Sequence, residues 1–216
     1  MIRAIQKMKR GFTLVELIVV VAITTLISSI VVVGSSKFDG TILLTNLAYD
    51  VALSVREAQF AGLNVKVFQS GGTSTFNAGY GITFYKLNAD TSTNNKDYIL
   101  FADVMDGNGV EDYLYSGNSN GGAEFVRKYS TQKGNWIDKF CGVVATTGVE
   151  ECGGSTGSLT FLNIVFVRPN PDATFKSSTG TAYKAVKIYV KSPQNITKAI
   201  RIESTGQISV CSTISC

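Results

Sequence analysis

Hydrophobic and polar positions follow three different rhythms along this chain. Residues 12–33 are almost continuously apolar, and Glu16 is the single ionisable group among them. A run of that length is about what one helix needs to cross a bilayer. Over residues 41–63 the pattern becomes periodic. Leu44, Leu47, Val51, Val55 and Ala58 recur at three- and four-residue steps, which marks the apolar face of an amphipathic helix. Asp50, Arg56 and Glu57 fall on the rest of its circumference, as on a half-exposed helix. Gly34 and Gly40, with Ser35, Ser36 and Lys37 between them, bracket a weak point. No proline lies in the helical region, so any bend there falls to glycine and serine.

After Gly62 the period shortens to two. Residues 64–69, 80–85 and 97–102 read as short strands rich in Tyr, Phe and β-branched residues. Residues 159–167 are apolar on both faces, as in a central strand, and end in the turn sequence Arg168-Pro169-Asn170-Pro171-Asp172. In residues 182–191, Val186, Ile188 and Val190 alternate with Lys187, Tyr189 and Lys191. That alternation predicts a sheet with one wet face. Residues 199–210 read as a hairpin around Thr205-Gly206. Strands packed on the amphipathic part of one long N-terminal helix make an α+β fold with an antiparallel sheet.

Composition narrows the chemistry. The chain has 216 residues and no histidine, so Ser-His and Cys-His nucleophile pairs and the commonest metal ligand are absent. An enzyme is not the expected class. The net charge of +4 has a local source. Taking Arg3, Lys7, Lys9 and Arg10 from the 20 basic residues leaves 16 against 16 acidic ones. A basic cluster just before a hydrophobic span holds the N-terminus on the cytoplasmic side. The far side of the membrane permits disulfides. Spacing suggests Cys141 with Cys152 and Cys211 with Cys216, although four cysteines allow three connectivities. A four-cysteine zinc site fits poorly, because no C-x-x-C occurs.

Glu16 raises the sharper question. An acid inside an apolar span costs about 3 kcal/mol at most near a helix end, and such groups are usually paired. Cleavage after Gly11 creates an ammonium on Phe12. Glu16 of one subunit then neutralises the new N-terminus of another. An ordinary secretory signal has a shorter apolar core with its small-residue cleavage site after it, whereas Gly11 precedes the run. A plain signal anchor needs neither Gly11 nor Glu16, and a lipoprotein needs a cysteine that is absent here.

Gly11-Phe12-Thr13-Leu14-Val15-Glu16, after a basic leader and before an apolar helix, resembles the prepilin signal of type IV pilins and type II secretion pseudopilins. The resemblance implies cleavage between Gly11 and Phe12 by a prepilin peptidase, which also acts as the N-methyltransferase for Phe12, and use of Glu16 in assembly. Residues 46–67, "NLAYDVALSVREAQFAGLNVKV", are similar to the post-membrane helix and first strand of H-type pseudopilins and fimbrial T-type minor pilins. The expected organisation is a leader at 1–11, a transmembrane and filament-core helix at 12–36, its amphipathic continuation at 37–63 and a β-rich extracytoplasmic head at 64–216. The implied partners are other pilin subunits, the peptidase, an inner-membrane assembly platform and, before assembly, lipid. The implied location is the cytoplasmic membrane in a single pass, then a pilus or pseudopilus in the periplasm or at the cell surface.

Two further motifs carry candidate chemistry. Asp103, Asp106, Asn108, Glu111 and Asp112 surround two glycines, an array of hard oxygen ligands of the kind calcium takes. Met105 breaks the EF-hand pattern, and Asp-Gly and Asn-Gly favour a solvated turn on their own. No other cofactor is expected, and the Gly-rich segment at 71–81 has no phosphate-binding pattern. Lys184, Lys187, Lys191 and Arg201 belong to a basic stretch able to hold DNA phosphates. Some T-type minor pilins bind DNA through a C-terminal arginine motif, which this chain does not match. A solvated sheet face is the favoured reading, and a membrane-anchored binding module is the alternative to a filament subunit.

Overall fold

The computed structural model describes residues 11–64, 66–70, 73–76, 78–85, 96–104, 112–118, 121–154 and 157–211. The chain divides into two compact units, Met1–Asp39 and Gly40–Cys216. The helix α1, Leu14–Leu63, contributes to both.

In the first unit α1 begins at Leu14 because Thr13 takes the position before it. The Glu16 amide donates to the Thr13 hydroxyl at 3.2 Å, and the Leu17 amide donates to the Thr13 carbonyl at 3.2 Å. Thr13-x-x-Glu16 thus has the spacing of a capping box.

In the second unit the expected apolar face is the buried one: Leu44, Leu47, Val51, Val55 and Ala58 all lie in the core. The helix ends where the Asn64 amide and side chain both donate to the Phe60 carbonyl, at 3.1 and 2.7 Å. Its last turn runs close to the sheet. A Cβ on Gly62 would stand 2.3 Å from the Phe166 carbonyl oxygen, so only glycine fits there.

Among the described residues fourteen strands follow: β1 Phe68–Ser70, β2 Thr73–Thr75, β3 Gly79–Tyr85, β4 Asp97–Asp103, β5 Gly117–Asn118, β6 Gly121–Gly122, β7 Phe125–Ser130, β8 Trp136–Val144, β9 Glu150–Gly154, β10 Phe161–Phe166, β11 Ala173–Ser177, β12 Tyr183–Lys191, β13 Thr197–Glu203 and β14 Ile208–Cys211. Two five-stranded antiparallel sheets carry the unit, in the orders β11-β10-β3-β4-β7 and β14-β13-β12-β8-β9, where one sheet was expected. β1 with β2 and β5 with β6 form separate short ribbons. One core joins them. Ile82, Phe84, Leu100 and Ile164 from the first sheet and Phe140, Val186, Ile188 and Ile200 from the second meet the buried face of α1. Burial of that many large side chains, each contributing about 1.5–3 kcal/mol, is what sets this arrangement.

The wet face expected of β12 is not there. Val186, Ile188 and Val190 point into the main core as predicted, but Lys187 and Tyr189 on the other face are buried too. Tyr189 packs with Cys141, Ala199 and Cys211, and Cys152 lies against them. β12 has partners on both sides, and their residues close over its second face. The strand expected over residues 64–69 is shorter, since Asn64 closes the helix and pairing begins at Phe68. The hairpin around Thr205-Gly206 forms as β13 and β14, with Ile202 facing Ile208.

Candidate processing and assembly site

Gly11, Phe12 and Glu16 are brought together by chain proximity at the start of α1. Among the described residues a Cβ on Gly11 would meet nothing within 4 Å. Phe12 is 82 % exposed, and Glu16 is exposed in the first turn, where a carboxylate is favoured by the positive end of the helix dipole. The Thr13 hydroxyl bond to the Glu16 amide is a role the apolar-run argument missed. Its signal was present in the sequence as a Thr three residues before a Glu.

The surface that follows is unusual. Leu14, Val15, Leu17, Ile18, Val19, Val20, Val21, Ile23, Leu26, Ile27 and Ile30 are each at least half exposed. The Thr24, Thr25 and Ser29 hydroxyls donate to carbonyls three or four residues back, so even the polar residues in the run satisfy themselves along the helix. A contiguous apolar surface of this kind marks a region covered by lipid or by protein. Among the described residues no helix is long and apolar enough to cross a membrane; beyond Ile30 the side chains of the sequence run to Val33 lie outside those described.

The calcium motif is only partly visible. Asp106, Asn108 and Glu111 lie outside the described residues. Asp103 ends β4, buried, and its Oδ2 accepts from the Tyr113 amide at 3.2 Å. Asp112 is exposed and its Oδ1 accepts from the Leu114 amide at 2.9 Å. A carboxylate outside the motif, Glu124, is buried beside them. It accepts from the Val104 and Ser116 amides at 3.2 and 2.5 Å, yet burial holds its pKa above the ordinary carboxylate value.

The basic stretch does not form one free cationic face. Lys187 is 8 % exposed and its Nζ lies 2.9 Å from Glu150 Oε1. Arg201 pairs with Glu203 at 2.5 Å. Lys184 is exposed and Lys191 half-buried. Tyr189 also donates to Glu150, at 3.1 Å to Oε2, and Lys139 stands 4.4 Å from the centre of the Tyr189 ring. Burial pushes the Glu150 carboxyl up, but the bond and charge of Lys187, with Tyr189 and Lys139, outweigh it and hold the pKa below the usual range. Sequence distance hid Glu150, which reaches Lys187 across β8.

Cys141 and Cys152 face each other in the β8–β9 pair and are disulfide-bonded. Cys211 is also in disulfide form, and Cys216 lies outside the described residues. Among the described residues the one group of ligand-type side chains close enough for a metal is Cys141, Glu150 and Cys152. Two of its three members are spent in the disulfide, so it is not a thiolate site.

Residues 6–32 match the family model described as the prokaryotic N-terminal methylation motif. No curated protein and no solved structure matches the chain. The motif covers the segment that holds Gly11, Phe12 and Glu16 and none of the β-rich remainder, and it supports a place for this chain among type IV pilin-like proteins that a prepilin peptidase processes.

Proposed function

We propose that this chain is a structural, minor subunit of a type IV pilus-like or type II secretion pseudopilus filament, of the H-type pseudopilin or T-type minor pilin kind. It is inserted in the cytoplasmic membrane with residues 1–11 inside, cut between Gly11 and Phe12, and methylated on Phe12. Residues 12–36 then leave lipid for the filament core, and the head at 64–216 stays outside. The methylation motif at residues 6–32 is the observation that carries this reading.

The physical logic is a transfer between two apolar surroundings. The exposed run from Phe12 to Ile30 is content in lipid or against copies of itself, so hydrophobicity alone does not choose between them. A charge does. Glu16 in hydrocarbon, near the helix end, costs up to about 3 kcal/mol. The ammonium that cleavage creates on Phe12 of a neighbouring copy offers it a counter-ion only in the assembled state.

Mass spectrometry of the purified native chain is expected to find methyl-Phe12 at its N-terminus. Glu16→Ala is expected to be cleaved normally yet fail to enter filaments. A chain still beginning at Met1, or a Glu16→Ala variant that assembles at the wild-type level, overturns the reading.

A further inference from the structure

Where the second half of α1 passes the turn between β7 and β8, a cleft of about 550 Å³ opens. Leu43, Asp50, Leu53 and Glu57 line it from the helix, and Lys133 and Asn135 from the turn. Ser54 and Tyr98, both buried, lie at its floor. The turn is held in place from within. Lys133 and Gly134 both take the left-handed backbone region, at φ 56° and 78°. The Asn135 backbone amide donates to the Gln132 carbonyl at 3.2 Å, and the Thr131 hydroxyl donates to the Asn135 carbonyl at 2.7 Å. Asn135 is only 3 % exposed, yet its side-chain amide has no hydrogen-bond partner among the described residues. Buried polar groups are nearly always paired, so an orphan on a cleft wall points to a ligand that supplies the partner.

The cleft also selects for charge. Glu57 is already engaged, by the Tyr129 hydroxyl and by Arg127 at 3.5 Å. Asp50, two turns earlier on the same face of α1, is exposed and has no hydrogen bond or ion pair among the described residues. Lys133 forms no ion pair among them either. Burial pushes the Tyr98 hydroxyl up to about 12, and Asp50 and Glu57 add to the shift, so their field reaches the floor. Such a field favours a cation. Leu43 and Leu53, on either side of Asp50, give apolar surface to the stem that carries it. Sugars are set aside, because the rings are already stacked. Tyr98 packs on Phe84 at 5.4 Å and on Tyr129 at 5.1 Å, and Arg127 stands 5.9 Å from the centre of the Tyr129 ring.

We propose that this cleft binds an extended peptide segment of another protein, one that carries an arginine or lysine beside apolar residues. Its cation pairs with Asp50, and its apolar side chains lie on Leu43 and Leu53. Its backbone answers Asn135, whose carboxamide offers one acceptor and two donors to a peptide group that has one of each. The two walls divide the work: the helix reads the side chains and the turn reads the main chain. A free amine satisfies only Asp50 and leaves the Asn135 amide unpaired, which is why a peptide is the better occupant.

Calorimetric titration of the full chain in detergent with acetyl-leucyl-arginyl-leucinamide tests this directly. Saturable binding at one site is expected. Asp50→Asn should weaken it at least about tenfold, and so should exchanging arginine for glutamate in the peptide. Asp50 is exposed and unbonded, so its variant should melt at the wild-type temperature. Asn135→Ala should weaken binding of the peptide but leave that of agmatine, which carries the guanidinium without a peptide backbone, unchanged. No saturable heat from the wild type, equal affinity in Asp50→Asn, or equal binding of the glutamate peptide overturns the proposal. Agmatine binding as tightly as the peptide overturns it too, in favour of a small-amine site. The filament reading stands or falls separately, on the processed N-terminus.

Discussion

Lys187 shows how much a single buried charge depends on its surroundings. Its ammonium reaches Glu150 from a position nearly closed to solvent, and Tyr189 and Lys139 complete the group. Truncating one partner of such a pair costs more than the pair contributes, because the survivor stays buried and uncompensated. Glu150→Gln should therefore destabilise the chain by about 1–3 kcal/mol at neutral pH. The sign of the pH dependence follows from the depressed carboxyl. A lowered folded pKa contributes stability above the ordinary value of 4.5 and loses it as pH falls through the folded value. The gap between wild type and variant should thus close below about pH 4.5, as read by urea unfolding in mild detergent. Glu124 works the other way, since its raised pKa costs stability at neutral pH and returns it on acidification. The methylation motif over residues 6–32 was legible from the sequence because such a signal is local and linear. Glu150 was not, because its partner is on another strand and nothing in the spacing of 150 and 187 announces it.

Elements differ in how plainly they are written. The buried face of α1 between Leu44 and Ala58 is read straight from its period, since a helix on a sheet must place an apolar residue every third or fourth position. β3, β4, β10 and β12 are equally plain as runs of aromatic and β-branched residues. β7 and β9 escaped because they are the outer strands of their sheets. Such strands need few apolar residues and tolerate charges such as Arg127, Lys128, Glu150 and Glu151, which also guard an open edge. β8 escaped because Asp138, Lys139 and Gly142 interrupt its apolar run. Gly142 has a packing reason: a Cβ there would lie 2.4 Å from the Tyr183 ring. The ring cannot withdraw, since its hydroxyl donates to Glu151 at 2.8 Å and shares hydrogen bonds with Ser177 and Thr179. Gly142→Ala should cost about 1–3 kcal/mol through overpacking, and a smaller ring-site residue in Tyr183→Leu should recover part of that loss in thermal unfolding.

Across the whole molecule the tyrosines set an upper limit in pH. Burial, with neighbouring carboxylates adding to it, pushes Tyr85, Tyr98, Tyr129 and Tyr189 up to about 12. A raised folded pKa leaves stability intact below the ordinary tyrosine value of 10 and removes it as pH climbs through the folded one. The melting temperature should accordingly fall between about pH 10 and 12, with tyrosinate absorbance appearing together with unfolding rather than before it. At this scale the sequence revealed an α+β architecture and the N-terminal signal but not the division into two sheets, which depends on strands that sequence pattern alone conceals. The disulfide between facing residues of β8 and β9 has a mechanical consequence. β9 is outermost, so a tug on the chain leading to β10 unzips it from Gly154 inward and stops at Cys152. Tensile load then passes through a covalent bond instead of a row of hydrogen bonds, and the sheet can be dragged without its edge fraying past Cys152.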